Sequence, residues 1–154
     1  MTGRIVSINR STGGVPKLSV EEARVTADGM QGDHQRDTRH HGGPDRALSL
    51  YSLDLIEQLQ LEGHPIAPGT AGENVTIRGV DWREIQPGRR LSLGVVEIEV
   101  TSYATPCKSI RDSFLDEDIT RISHKLFPGW SRVYARVLRE GMLHRDDEVR
   151  LRPS

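Results

Sequence analysis

A chain of 154 residues with Lys+Arg 21 against Asp+Glu 22 carries a formal charge of −1, so no global field steers it toward nucleic acid or an anionic membrane. That length favours one domain spanning residues 1–154, large enough to bury roughly 70 % of the unfolded chain's surface on folding. A single cysteine excludes an intrachain disulfide framework and suits a reducing compartment. Met1–Val6 lacks the apolar core of a signal peptide, and no apolar run approaches the ~20 residues needed to span a bilayer; a cytoplasmic protein is expected.

Short strand patterns punctuated by 15 glycines and 8 prolines run along the chain. Ile5-Val6-Ser7-Ile8 opens as a strand, Thr12–Pro16 reads as a loop, and Lys17–Val25 as a second strand region. Arg46–Tyr51 follows as another strand, with Arg46 entering it from the polar loop before it. Ser52–Leu61 carries helical spacing, with Leu53, Ile56, Leu59 and Leu55 on one stripe behind a Ser52 or Asp54 cap. Val75-Thr76-Ile77 is a strand with a glycine-rich loop at its mouth, and Pro87-Gly88-Arg89-Arg90 is a turn with a solvated basic pair. Val95–Val100 alternates at period two, Asp116–Leu126 has a weaker helical pattern, and Val133–Leu138 and Glu148–Leu151 repeat the strand signal. Many short strands around few helices predict a mainly β protein, a closed antiparallel β-barrel with a few short helices.

Three segments carry chemistry. Cys107 follows a proline in Thr105-Pro106-Cys107-Lys108, just past a strand-like run, where a thiolate can bind a soft metal or attack an electrophile. Lys108 beside it favours the ionised form; taken alone, such a cysteine equally reads as an inert thiol packed like any small hydrophobe. Within Asp33–Arg46 stand six charged residues and three histidines, more than a solvated turn needs, and Gly42-Gly43-Pro44 forces a bend. A guanidinium at Arg46 can grip a phosphate with two parallel hydrogen bonds, although pairing of Asp33, Asp37 and Asp45 with Arg36, Arg39 and Arg46 would account for the same charges. Zinc is discounted, because adjacent His40 and His41 can hardly converge on one ion and no second cysteine completes a set. In Gly69-Thr70-Ala71-Gly72-Glu73-Asn74 the glycines let backbone approach a flat ligand, and the Asn74 amide offers both a donor and an acceptor; a plain hairpin turn would look alike.

In order, Gly32-Asp33, His41-Gly42-Gly43-Pro44-Asp45-Arg46-Ala47, Gly69–Asn74, Pro87-Gly88 and Pro106-Cys107-Lys108 resemble the MOSC family, named for the C-terminus of molybdenum cofactor sulfurase. The similarity covers nearly the whole chain. It implies a barrel of the pyruvate-kinase-barrel kind and a pocket for molybdenum cofactor, a molybdopterin-type group whose metal is ligated by Cys107. On that resemblance Lys17 and Arg46 are candidates for its phosphate and Asn74 for its pterin edge. Asp33, His41, Glu73 and Lys108 complete the expected cofactor-binding set.

Three functions fit. The first is a molybdenum-dependent oxidoreductase that reduces N-hydroxylated small molecules, with electrons from a partner protein. The second is a non-catalytic sulfur or cofactor carrier with a persulfide on Cys107, loaded by a sulfur donor. A metal-free cysteine hydrolase ranks third, since it needs a base such as His124 or one of His40 and His41 near the thiol. The expected partners are a small-molecule substrate and an electron-donor or sulfur-donor protein, with no nucleic acid or membrane, in a monomer or homodimer. No segment reads as a pyridoxal-phosphate desulfurase, a flavin site or an iron–sulfur site.

Overall fold

The computed structural model describes residues 2–11, 15–33 and 43–153. Its strands are β1 (Thr2–Arg10), β2 (Leu18–Val20), β3 (Glu22–Thr26), β4 (Gly29–Met30), β5 (Leu48–Ser52), β6 (Val75–Arg78), β7 (Arg90–Leu93), β8 (Val96–Tyr103), β9 (Val133–Arg139), β10 (Gly141–His144) and β11 (Glu148–Leu151). Seven of them close a barrel in the order β1-β11-β7-β8-β9-β5-β6, with β6 pairing back onto β1. β2 extends the far end of β1, and β10-β3-β4 form a separate three-stranded sheet. The expected closed β-barrel is therefore present, antiparallel except at β5–β6, which run parallel. Parallel neighbours need a crossover, and α1 (Leu53–Leu61) supplies it.

That helix forms as its sequence predicts. Ser52 accepts a hydrogen bond from the Leu55 N–H at 3.2 Å, and Ile56 and Leu59 bury the apolar stripe. Along β8, Val96, Ile98 and Val100 are buried while the residues between them are half-exposed, the alternation of a strand with one face on the core. Leu48, Leu50, Val133, Ala135, Ile5 and Ile8 join them in one continuous core.

Several expectations are corrected. Lys17–Val25 is two strands rather than one, because Leu18–Val20 pairs with β1 whereas Glu22–Thr26 pairs with β10, so two different sheets take the two halves. Arg46 does not enter a strand: Pro44–Arg46 is one 3₁₀ turn, started by the fixed φ of Pro44 and closed by the Arg46 N–H on Gly43 O, and β5 begins only at Leu48. Asp116–Leu126 is not an α-helix. Asp116 and Glu117 adopt positive φ of 55 and 57°, Asp118 caps Thr120 through its side chain, and the apolar residues sit in short 3₁₀ turns. Arg89 in the expected solvated turn is half-buried, with Glu84 at 3.7 Å, although Arg90 is exposed. Strands β4, β7 and β10 went unread in the sequence, each only two to four residues long.

Candidate functional site

The Gly69–Asn74 loop is the hub on which the candidate residues meet. On one side the Lys17 N–H bonds Gly69 O at 3.0 Å, so closely that a Cβ on Gly69 would collide with the Lys17 carbonyl. Gly69 and Gly72 hold φ of 86 and 83°, a region open to glycine at little cost. On the other side Ser113 donates to Thr70, tying down the 3₁₀ segment Lys108–Ser113 that follows Cys107. Arg132 also spans the gap: it donates to Ala71 O at 2.8 Å and to Thr105 O at 3.4 Å. The loop thus joins the Lys17 segment to the cysteine segment.

Under the loop lies a buried polar network. Asp33 accepts from Lys17 Nζ at 2.5 Å, from Asn74 Nδ2 at 2.9 Å and from the Ser11 N–H at 2.8 Å. The side chains of Lys17 and Asp33 are only 8 % and 5 % exposed, so this is an interior ion pair. The Asn74 amide uses its second donor on Asn9 O, and its Oδ1 accepts from the Ser49 N–H with Ser49 Oγ at 3.3 Å. Three hydrogen-bonding positions of that amide thus meet Asp33, Asn9 O and the Ser49 N–H, while the single Ser49 hydroxyl proton reaches Gly72 O as well as Oδ1, so the amide ties Asp33 to β5. Glu73 is fully buried; Oε2 accepts from Thr76, and Oε1 has no hydrogen-bond partner among the described residues. Burial pushes its carboxyl up from the ordinary value, against the pull of the Gly69 and Glu73 N–H groups, Thr76 and Arg132.

Arg46 reaches the same region from its turn. Its guanidinium lies 5.2 Å from the centre of the Tyr134 ring, and Tyr134 stands opposite Ser49 in the β5–β9 register. Opposed residues share a face, and Ser49 there donates to Gly72 O, so Arg46, Tyr134 and the glycine loop line one side of the sheet. Cys107 is half-buried just past β8, with Ser109 Oγ 2.7 Å from its sulfur. Lys108 beside it is exposed at the start of the 3₁₀ segment. His41 lies outside the described residues, as do His40 and the rest of 34–42. His124 stacks on Tyr103 at 3.6 Å, and its Nδ1 accepts from the Gly129 N–H at 3.5 Å. Among the described residues it is Ser109, not a histidine, that bonds the thiol, so the geometry of a cysteine–histidine hydrolase is absent there.

Sequence reasoning missed Arg132, Ser49 and Asn9. Ser49 and Asn9 sit inside ordinary strands, and Arg132 stands in Trp130-Ser131-Arg132-Val133 with no motif around it; none carries a local signal, because their partners are distant in the chain.

The glycine loop and the cysteine segment are thus laced together on a closed barrel. The model of the MOSC domain matches residues 37–150, well over half of the chain, and the protein belongs to that family. The chain is similar to YiiM of Escherichia coli (strain K12), 30 % identical over 117 residues, which cover 70 % of this chain and 50 % of that protein. It is also similar to YflK of Bacillus subtilis (strain 168), 25 % identical over 132 residues, 84 % of this chain and 58 % of the relative. The chain thus spans about half the length of the curated relatives it matches. The crystal structure of YiiM from Escherichia coli superposes on all of this chain and 71 % of its own at a TM-score of 0.74 and 22 % identity. That of YiiM from Geobacillus stearothermophilus covers 98 % of this chain and 75 % of its own at 0.71 and 22 %. These likenesses establish the shared fold. Among the described residues no helix is long and apolar enough to cross a membrane.

Proposed function

We propose that this MOSC protein binds molybdenum cofactor with Cys107 as the protein's ligand to the metal, and that it reduces N-hydroxylated small molecules there. The observation that supports the reading most is the state of Cys107: a half-buried thiol at the end of a strand, bonded only to Ser109 among the described residues and anchored on both sides to the glycine loop. Among the described residues no three metal-ligating side chains cluster, and a pterin dithiolene would bring a metal most of its donors. One soft thiolate is then enough.

When bound, the cofactor would supply a two-electron metal centre. Conversion of N–OH to N–H takes two electrons and two protons and releases water, and the electrons come from a separate donor protein. The chain's own residues do the rest. Cys107 would fix the metal's position; Arg46 and Lys108 would offer cations to the cofactor's anionic part; the Lys17–Asp33–Asn74 network holds the glycine loop that would face the pterin.

Protein made in a host that synthesises the cofactor should contain molybdenum and pterin in equal amounts. Given dithionite, it should turn an N-hydroxylated purine or an amidoxime into the amine. Cys107→Ser should lose the metal's thiolate signature and the turnover while melting within a few degrees of wild type, since an alcohol is a harder and far less ionised ligand. Unchanged molybdenum spectroscopy in Cys107→Ser would remove the centre of this reading. Cyanolysable sulfur on Cys107 with no reduction of any such substrate would make the protein a sulfur carrier instead.

A further inference from the structure

We propose that Ser109 is a positioning residue for Cys107: its hydroxyl holds the Cys107 sulfur in one rotamer, so that a metal taken by the thiolate meets a sulfur already aimed and already bearing one hydrogen bond. The proposal deepens the reading of Cys107 as a metal ligand and rests on it. Cys107 stands just before the 3₁₀ segment Lys108–Ser113 with extended backbone, φ −129° and ψ 165°. A side chain at such a position commonly accepts a backbone N–H from the turn it precedes, as Ser52 does from Leu55, Asp81 from Arg83 and Asp118 from Thr120. The Cys107 sulfur caps nothing; it lies 2.7 Å from Ser109 Oγ. Nor does the Ser109 hydroxyl turn back on a main-chain carbonyl, a common use of serine in a helical turn; among the described residues its partner is the sulfur alone.

The chain on both sides of this pair is fixed. Arg132 donates to Thr105 O before it, and after it Ile110 is buried and Ser113 donates to Thr70. The Ile110 N–H returns to Cys107 O at 3.2 Å, so Ser109 lies inside a closed turn that keeps its hydroxyl beside the sulfur. A thiolate accepts and cannot donate, and metal binding needs the thiolate; the proton between the two atoms is then Ser109's. The Cα–Cβ torsion that places a cysteine sulfur has three staggered wells, and the hydroxyl favours the one that brings Sγ to it. A donor on a ligating sulfur draws electron density from it, and hydrogen bonds of this kind orient ligands and set the potential of the metal they hold.

Cys107 is the chain's only cysteine, so isotope-labelled cysteine gives a single Hα–Hβ spin system whose couplings report the rotamer by NMR in protein made without the cofactor. The wild-type couplings should show one dominant rotamer. In Ser109→Ala the population of that rotamer relative to the other two should fall by roughly three- to tenfold, as expected for loss of one hydrogen bond, and Ser109→Thr, which keeps the hydroxyl, should recover most of it. In protein loaded with the cofactor, Ser109→Ala should shift the molybdenum potential downward and Ser109→Thr should return it, a change that a residue serving only the stability of the turn would not make. Averaged couplings in the wild type, couplings unaltered in Ser109→Ala, no recovery in Ser109→Thr, or a potential that Ser109→Ala leaves in place overturns the proposal. Should Ser109→Ala fail to fold, the wild-type couplings and those of Ser109→Thr decide. If the purified protein takes up no cofactor, the proposed function fails and the couplings alone decide the role of Ser109. If cofactor is bound while the wild-type couplings are averaged, the function stands and Ser109 falls.

Discussion

Arg46 and Arg89 look alike in the sequence, each an arginine beside a glycine–proline turn, yet their surroundings differ. Arg46 sits over Tyr134, which faces Ser49 and the glycine loop, whereas Arg89 turns toward Glu84. Arg46→Ala should therefore cost several-fold in cofactor retention, measured as bound pterin after gel filtration, and Arg89→Ala should leave it near wild type. Equal retention would remove Arg46 from the site. A second comparison concerns the Lys17–Asp33 pair. Asp33→Ala strands a buried ammonium and leaves Asn74 Nδ2 and the Ser11 N–H without their acceptor, so urea unfolding should show a loss of about 3 kcal/mol. Replacing both partners, as in Lys17→Met with Asp33→Leu, should recover part of that loss, because no uncompensated charge then remains. A double variant as unstable as the single one would mean that Asp33 acts through its other hydrogen bonds.

Among the elements, the Gly69–Asn74 loop is the one on which the Lys17 and Cys107 segments are joined. Its position depends on a backbone approach that no side chain permits: at Gly69 a Cβ would meet the Lys17 carbonyl, and φ there is 86°. Gly69→Ala should cost roughly 1–3 kcal/mol from the backbone alone, with more from the collision, and should loosen Lys17. Gly88 provides the control, since it has a similar φ of 93° but open space where a Cβ would go. Gly88→Ala should lower the melting temperature less than Gly69→Ala; the opposite order would mean that the Lys17 contact is slack. The sequence displayed this loop as a glycine pair and an amide, but what the amide does was not legible there. Asn74 is used inside the fold because Asp33, Asn9 and Ser49, distant in the chain, arrive at three of its hydrogen-bonding positions.

Across the whole molecule, burial of one acid sets an expected pH dependence. Glu73 is raised above its ordinary 4.5 by burial, so above that pH the folded state holds more proton than the unfolded chain does. Stability from this residue is complete below pH 4.5 and declines as pH rises toward the folded value, by at most about 1.4 kcal/mol per pH unit. Glu73→Gln keeps an acceptor for Thr76 and cannot ionise. Its melting temperature relative to wild type should climb as pH is raised from 5 to 8, and a constant difference across that range would show that Glu73 stays charged in the fold.

Local chemistry determined a large part of this protein: the Ser52 cap and the Ile56–Leu59 stripe specified α1, period-two patterns marked β8, β9 and β11, and five short motifs in order identified the family. These signals lie within a few residues of one another, where propensity and patterning act. The tertiary structure decided what depends on distant partners. Lys17–Val25 divides because two sheets compete for it, and Arg46 leaves the strand for a proline-started turn. The aspartates at 116 and 118 end a helix that apolar spacing alone suggested. Arg132 enters the site only because barrel closure carries it to carbonyls 61 and 27 residues away in the chain, a pairing that no local pattern can encode.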